Sequence, residues 1–180
     1  MSVFTNPSSA ASEDADRYIA AVLGLLGDRD PLDFLRTTSD WLDRTVKRLS
    51  REELGAAEGD GKWSVREVVQ HLSDSELVQG YRLRMVLAED RPQLTGFDQD
   101  LWAARLHYER SDVQHALEQF RLLRRANLSL ADGASDEELQ RVGVHAERGE
   151  HTLEQMISLW AGHDLVHVRQ IERICAIVER

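Results

Sequence analysis

The chain has 180 residues, a length that suits one domain with a full hydrophobic core. Its formal net charge of −10 argues against nucleic-acid binding, because phosphate contacts need a basic surface. No apolar run approaches the roughly 20 residues of a membrane-spanning helix, and the single cysteine, Cys175, cannot form a disulfide within the chain. We therefore expect a cytoplasmic protein that binds neither nucleic acid nor a membrane.

The N-terminal part predicts a tail followed by a short helix. Residues 1–13 are rich in Ser and Ala and are expected to form a mobile tail, so residues 14–180 make up a single domain. Residues 16–26 show a short helical pattern, which we interpret as an extra N-terminal helix packed on the main body. A longer helix is predicted from Pro31, with Asp30 as its cap, to about Leu49.

A capping box marks the start of the next long helix. Ser64 is the predicted cap, and Glu67 three residues later closes the box. The helix is expected to run to about Glu89 and to carry His71 on its second turn. Gly80 inside it costs about 1 kcal/mol relative to Ala, which predicts a bend or a close contact with another helix.

Two more long helices follow. Ser111 and Gln114 form a predicted capping box for a helix that ends near Leu130. Its solvated face is expected to carry three arginines, Arg121, Arg124 and Arg125. Thr152 begins the last helix, which continues to about Val178. The intervening residues 141–150 are interpreted as a loop or an extended piece.

These patterns give four long helices with one apolar face each and no convincing set of strands. The prediction is an all-α four-helix bundle with a short extra N-terminal helix.

His163 and His167 interrupt the apolar stripe of the last helix, and residues four apart lie on one face. Two buried imidazoles need a shared partner, and a divalent cation would serve. From spacing alone, histidines satisfied by hydrogen bonds remain the more common arrangement.

His71 is a candidate third ligand from another helix. Three histidines leave at least one position open, as in catalytic metal sites. On spacing alone, His71 could equally be a solvated flank residue. Asp74 and Asp164 are candidate acceptors for an imidazole N–H, although ordinary surface carboxylates are the commoner interpretation of both.

The other histidines carry weaker signals. His107 and His115 fit exposed positions, and His151 fits the capping region of the last helix. His145 lies in the 141–150 segment, where it could line a pocket mouth, although a structural role is favoured. No Ser-His-Asp or Cys-His arrangement stands out, and no Gly-rich phosphate loop does.

Four segments of the sequence resemble the DinB/YfiT-like superfamily, over about residues 16–178. In chain order they read GKWSVREVVQHLSDSE, then LAED followed by GFDQDLW, then GVHAERGE, then AGHDLVHVRQI. The resemblance implies an up-up-down-down four-helix bundle. It also implies a divalent metal held by three histidines, which match His71, His163 and His167. Zn and Ni are the leading candidates for the metal, with Fe, Co and Mn as alternatives.

The resemblance leaves the reaction open. Some members are thiol-dependent transferases or isomerases, others are described as metal-dependent hydrolases, and homodimers are common. The leading hypothesis is therefore thiol-dependent S-transfer to a small electrophile, with a low-molecular-weight thiol as cosubstrate. One alternative is a hydrolase that uses metal-bound water. Another is a non-catalytic protein that binds a metal or a ligand. A homodimer acting on a small-molecule substrate is expected.

Overall fold

The computed structural model describes residues 12–179, which form seven α-helices and a small β-sheet. Two short 3-10 turns connect them, at Glu53–Gly55 and Tyr108–Arg110. The helices are α1 Ser12–Leu26, α2 Pro31–Arg48, α3 Val65–Ala88, α4 Gln99–Arg105, α5 Val113–Asp132, α6 Asp136–Leu139 and α7 Leu153–Val178. The strands are β1 Gln93–Leu94, β2 Val142–His145 and β3 Gly149–Thr152. None of the helices in this range is long and apolar enough to cross a membrane.

Side-chain caps fix where the long helices begin. The predicted capping boxes at Ser64 and Thr152 are both present. The predicted box at Ser111 is wrong, because Asp112 caps α5 and accepts hydrogen bonds from two backbone N–H groups of its first turn. A carboxylate next to the helix N-terminus is also favoured by the helix dipole.

Four helices, α2, α3, α5 and α7, form the bundle, which confirms the predicted fold class. Helices α3 and α5 run parallel, because their N-terminal halves share one apolar cluster and their C-terminal halves share another. Helices α2 and α7 run the opposite way between the same two clusters. Going around the bundle, the neighbouring helices are α2, α7, α3 and α5, and they point up, up, down and down. In the order of the chain, α2, α3, α5 and α7 point up, down, down and up.

Helix α1 packs against α7 outside the four-helix core, as the sequence predicts for an extra helix. Tyr18 and Val22 of α1 form a small apolar cluster with Leu159 of α7. Helix α1 begins at Ser12, slightly before the predicted domain start. Residues 1–11 of the predicted tail lie outside the described residues.

Gly162 allows the close approach of α1 and α7, and its replacement should be costly. A Cβ atom built on Gly162 lies 2.9 Å from the backbone oxygen of Val22, which cannot rotate away. We expect Gly162→Ala to lower the free energy of unfolding by about 1–3 kcal/mol. Urea denaturation measures the change.

Gly24→Ala is the matched control, because its Cβ would meet nothing within 4 Å. Since Ala is the better helix former, this variant should be neutral or more stable by up to about 1 kcal/mol. Equal urea midpoints for Gly162→Ala and wild type would show that α1 moves away without cost.

The small sheet was not predicted from the sequence. Strand β1 pairs in parallel with β2, and β2 pairs antiparallel with β3. The strands are two to four residues long, which is too short for an alternating pattern to be distinguished from a loop. The β2–β3 hairpin contacts α3 and leads directly into α7, and it places His145 in the interior.

Candidate metal centre

The structure brings the three predicted histidines together. His71 on α3 faces His163 and His167 on the antiparallel helix α7, and one nitrogen from each ring lies within 4.8 Å of the others. The Nε2 atoms of His71 and His163 are 3.0 Å apart. Among the described residues, no other group of three or more His, Cys, Asp or Glu side chains has a spacing suited to a metal ion.

The three rings differ in their access to solvent. His71 and His167 are buried, whereas 18% of the His163 side chain is exposed. His71 therefore lies inside the bundle and not on a wetted flank of α3. His163 is therefore the most exposed of the three side chains.

Burial keeps two of the imidazoles neutral. Burial, together with repulsion from His167 and His163, holds the pKa of His71 well below its usual range. Burial and His163 lower the pKa of His167 to about 3. Neutral imidazole is the form that coordinates Zn²⁺, Ni²⁺ and similar ions.

Hydrogen bonding directs the free nitrogen of His167 towards the cluster. Its Nδ1 donates to Oε1 of Gln170 at 2.9 Å, which leaves the Nε2 lone pair available. Gln170 lies three residues after His167 on α7, so helical spacing could have identified it, but the sequence prediction missed it. The only other polar contact at Nε2 of His71 within the described residues is Oγ of Ser75, at 3.5 Å.

The donor set fits a divalent cation. Two Nε2 lone pairs 3.0 Å apart repel each other unless a proton or a cation lies between them. This separation is compatible with two Zn–N bonds of about 2.0–2.1 Å to one ion. The Nδ1 atoms of His71 and His163 are buried without a hydrogen-bond partner in the described structure. No hydrogen bond at Nδ1 therefore turns either ring away from the point where the three histidines meet.

Aromatic rings enclose one side of the histidines. The ring of Trp63 lies 4.9 Å from His71 and stacks on His167 at 6.3 Å, measured between centroids. Phe97 lies 6.5 Å from His71 and packs against Trp102. This apolar wall lowers the local dielectric constant, which strengthens electrostatic interactions at the centre.

A cleft of about 370 Å³ lies next to His167. Trp63 and Gln170 form part of its wall. The charged residues that line it are the positive Lys62, Arg169 and Arg173 and the negative Glu58 and Asp100. Arg173 is paired with Glu58. A small molecule in this cleft would reach the imidazole of His167.

A buried ion network lies directly behind His163. Arg124 is 1% exposed and pairs with Glu76 at 2.7 Å and with Asp164 at 2.6 Å. The prediction that Arg124 lies on the solvated face is therefore wrong, although Arg121 and Arg125 are exposed as expected. Arg124 is buried because its position on α5 faces the carboxylates of α3 and α7.

Neither candidate acceptor carboxylate is an ordinary surface group. Oδ1 of Asp164 lies 3.8 Å from Nδ1 of His163, beyond hydrogen-bond distance, while Oδ2 binds Arg124. Burial alone would raise the pKa of Asp164, but Arg124 and His163 overcome that effect and lower it. Asp74 accepts from the hydroxyl of Tyr108 at 2.5 Å and from Gln70 at 3.2 Å, and not from His71.

The remaining histidines lie away from this cluster. His107 and His115 are exposed, as predicted. His151 lies in β3, one residue before the cap of α7. His145 is buried in β2, where it contacts two arginines. Cys175 is buried in an apolar cluster, as its position in the last helix predicts.

Known proteins resemble this chain in sequence over most of its length. A protein of Oceanobacillus iheyensis is 28% identical over 138 residues, covering 77% of this chain and 79% of the relative. YfiT of Bacillus subtilis is 26% identical over 134 residues, covering 74% and 75% respectively. Both carry the name "Putative metal-dependent hydrolase".

The fold comparison agrees. The solved structure of YfiT from Bacillus subtilis, described as having an unusual four-helix bundle topology, matches with a TM-score of 0.78. The match covers 97% of this chain and 93% of YfiT at 22% identity, so it supports the fold alone. The family model of the DinB superfamily matches residues 34–171. The chain therefore belongs to the DinB superfamily.

Proposed function

We propose that the protein is a divalent-metal-dependent enzyme that transfers a low-molecular-weight thiol to a small electrophile. The observation that carries this proposal is the convergence of His71, His163 and His167 beside a cleft. Three protein ligands leave a position for a reacting molecule, whereas structural zinc sites are usually closed by four.

Each residue at the centre has a definable role. The three imidazoles would hold the ion, which when bound lowers the pKa of a coordinated thiol and so supplies a thiolate at neutral pH. Gln170 orients His167 through the 2.9 Å hydrogen bond to its Nδ1. Trp63 packs against the rings of His71 and His167 and forms part of the wall of the cleft.

The surroundings of the histidines favour a thiol over water as the nucleophile. The neighbouring carboxylates, Asp74 and Asp164, are engaged by Tyr108 and Arg124. Neither is free to act as a general base. A thiol, with an ordinary pKa of about 8.5, needs a smaller lowering of its pKa than water, whose pKa falls from about 15.7 to about 7 on a bound metal ion. Either nucleophile could ionise there without an additional base, and the smaller change that a thiol needs supports it as the first candidate.

Hydrolysis is the second candidate, and the names of the relatives favour it. A hydrolase of this design would use the same three histidines with water as the nucleophile. It would then turn over an ester or an amide without added thiol, which separates the two candidates in one assay.

The test is turnover of a chlorodinitrobenzene substrate with cysteine or bacillithiol by the metal-loaded protein. We expect the thiolate sulfur to bond to the ring carbon while chloride leaves with its bonding electrons. The rate should fall to the uncatalysed level on chelation and return when Zn²⁺ or Ni²⁺ is added. Absorbance of the thioether product gives the rate.

Ester and amide substrates without thiol are measured in parallel. Metal-dependent turnover of these substrates alone would support the hydrolase. A protein that binds Zn²⁺ but turns over neither class would instead support the non-catalytic binding protein.

A further inference from the structure

Two guanidinium groups face the imidazole of His145 in β2, away from the three histidines. Nη2 of Arg82, from α3, lies 3.1 Å from Nε2 of His145 in β2. Nη2 of Arg148, from the hairpin turn, lies 3.3 Å from the same Nε2 atom. Arg82 and His145 are each 5% exposed, and Arg148 is half-buried.

Both ring nitrogens of His145 face hydrogen-bond donors. The backbone N–H of Glu147 lies 3.2 Å from Nδ1, and the two guanidinium groups lie at Nε2. Burial, with Arg148 and Arg82, lowers the pKa of His145 to about 3, which keeps the ring neutral. A neutral imidazole has one acceptor nitrogen, so in either tautomer at least one of these donors lacks an acceptor at the ring.

Further donors at the same place lack partners. The Nε atoms of Arg82 and Arg148 are buried without a hydrogen-bond partner in the described part of the chain. Nη2 of Arg82 does have an acceptor, the backbone oxygen of Thr95 at 2.7 Å. Buried donors without acceptors are costly, and in folded proteins they can mark the position of a bound ion.

Positive charge is concentrated there in an otherwise acidic protein. Within residues 12–179, neither Arg82 nor Arg148 forms an ion pair with a carboxylate, although the chain carries a net charge of −10. Burial lowers the pKa of Arg82 to about 10, and repulsion by Arg148 contributes more than attraction by Glu147. An anion between the two guanidinium groups would relieve that repulsion.

We propose that Arg82, Arg148 and His145 form an oxyanion-binding site for a carboxylate or phosphate group. Guanidinium groups bind both through charge-assisted hydrogen bonds, and the imidazole of His145 contacts both of these guanidinium groups.

Binding of inorganic phosphate and acetate to the full-length protein tests the oxyanion site. Isothermal titration is performed with Zn²⁺-loaded and with chelated protein, because phosphate can also bind a metal. We expect binding in both states and a Kd raised at least about tenfold by Arg148→Gln, since a charge-assisted hydrogen bond is lost. The control Arg125→Gln removes an exposed arginine of α5 and should change Kd by less than about twofold.

Two results would overturn the site. One is the absence of binding of either anion to the wild-type protein. The other is binding that disappears on chelation and is unaffected by Arg148→Gln. Circular dichroism verifies that each variant is folded, and Arg82→Lys provides a second variant that keeps the charge but loses the planar fork. It should weaken binding less than Arg148→Gln.

Discussion

Replacing His71 by alanine is expected to weaken Zn²⁺ binding by at least about 100-fold. Removing a residue that only hydrogen-bonds to a metal ligand already lowers metal affinity by up to about 100-fold, and His71 would be a ligand itself. His71 is the only contribution of α3 to the three-histidine cluster, and it is completely buried. Without it, His163 and His167 would hold an ion from one helix alone. The two-ligand site that remains would exchange its metal rapidly with free chelator.

Competition with a chromophoric chelator measures this affinity. His115→Ala is the matched control, because His115 is exposed on α5 and is not part of the cluster, and it should leave Zn²⁺ affinity unchanged. The Zn²⁺ affinity of Gln170→Ala should lie between those of these two variants, about tenfold below wild type. Gln170 orients His167 through a hydrogen bond and is not itself one of the three predicted ligands. Wild-type affinity in His71→Ala would rule out the three-histidine centre.

The parts of the fold that could be predicted are those encoded over many consecutive residues. Helices α2, α3, α5 and α7 are 18 to 26 residues long, which allows several repeats of an apolar stripe. The capping boxes at Ser64 and Thr152 add chemical signals within four residues. The pair His163 and His167 was visible for the same reason, because both lie on one helix face.

The features that were missed depend on distant parts of the chain. Arg124 pairs with Glu76 and Asp164, which are 48 and 40 residues away, so a local pattern presents it only as one arginine among several. The parallel pairing of β1 with β2 also joins segments about fifty residues apart. His71 was only a candidate, since its distance from α7 follows from packing and not from spacing along the sequence.

The buried ion network connects the bundle core to the histidine cluster. Glu76, from α3, accepts hydrogen bonds from Arg124, from Nε1 of Trp160 at 2.7 Å and from Asn127 at 3.0 Å. Asp164 follows His163 directly on α7. One guanidinium group therefore holds carboxylates from two helices that also carry the histidines. Burial raises the pKa of Glu76 more than Arg124 lowers it. One arginine therefore does not fully offset the cost of burying the Glu76 carboxylate.

Removing that arginine should produce the largest loss of stability. We expect Arg124→Met to lower the free energy of unfolding by about 3–5 kcal/mol, because two buried carboxylates lose their cationic partner. Combining it with Glu76→Gln and Asp164→Asn should recover at least half of the loss, since neutral amides need no counter-charge. Urea denaturation followed by far-UV circular dichroism measures these variants beside wild type.

Arg125→Met is the appropriate control, because it removes the adjacent but exposed arginine from the same helix. It should change the free energy of unfolding by less than about 0.5 kcal/mol. If Arg124→Met is as stable as this control, the carboxylates are neutral in the folded protein and Arg124 contributes by packing between Phe120 and Trp160. Failure of the triple variant to recover would instead indicate that the hydrogen bonds of Arg124, including that to the backbone oxygen of Leu35 at 2.9 Å, are what stabilise the core.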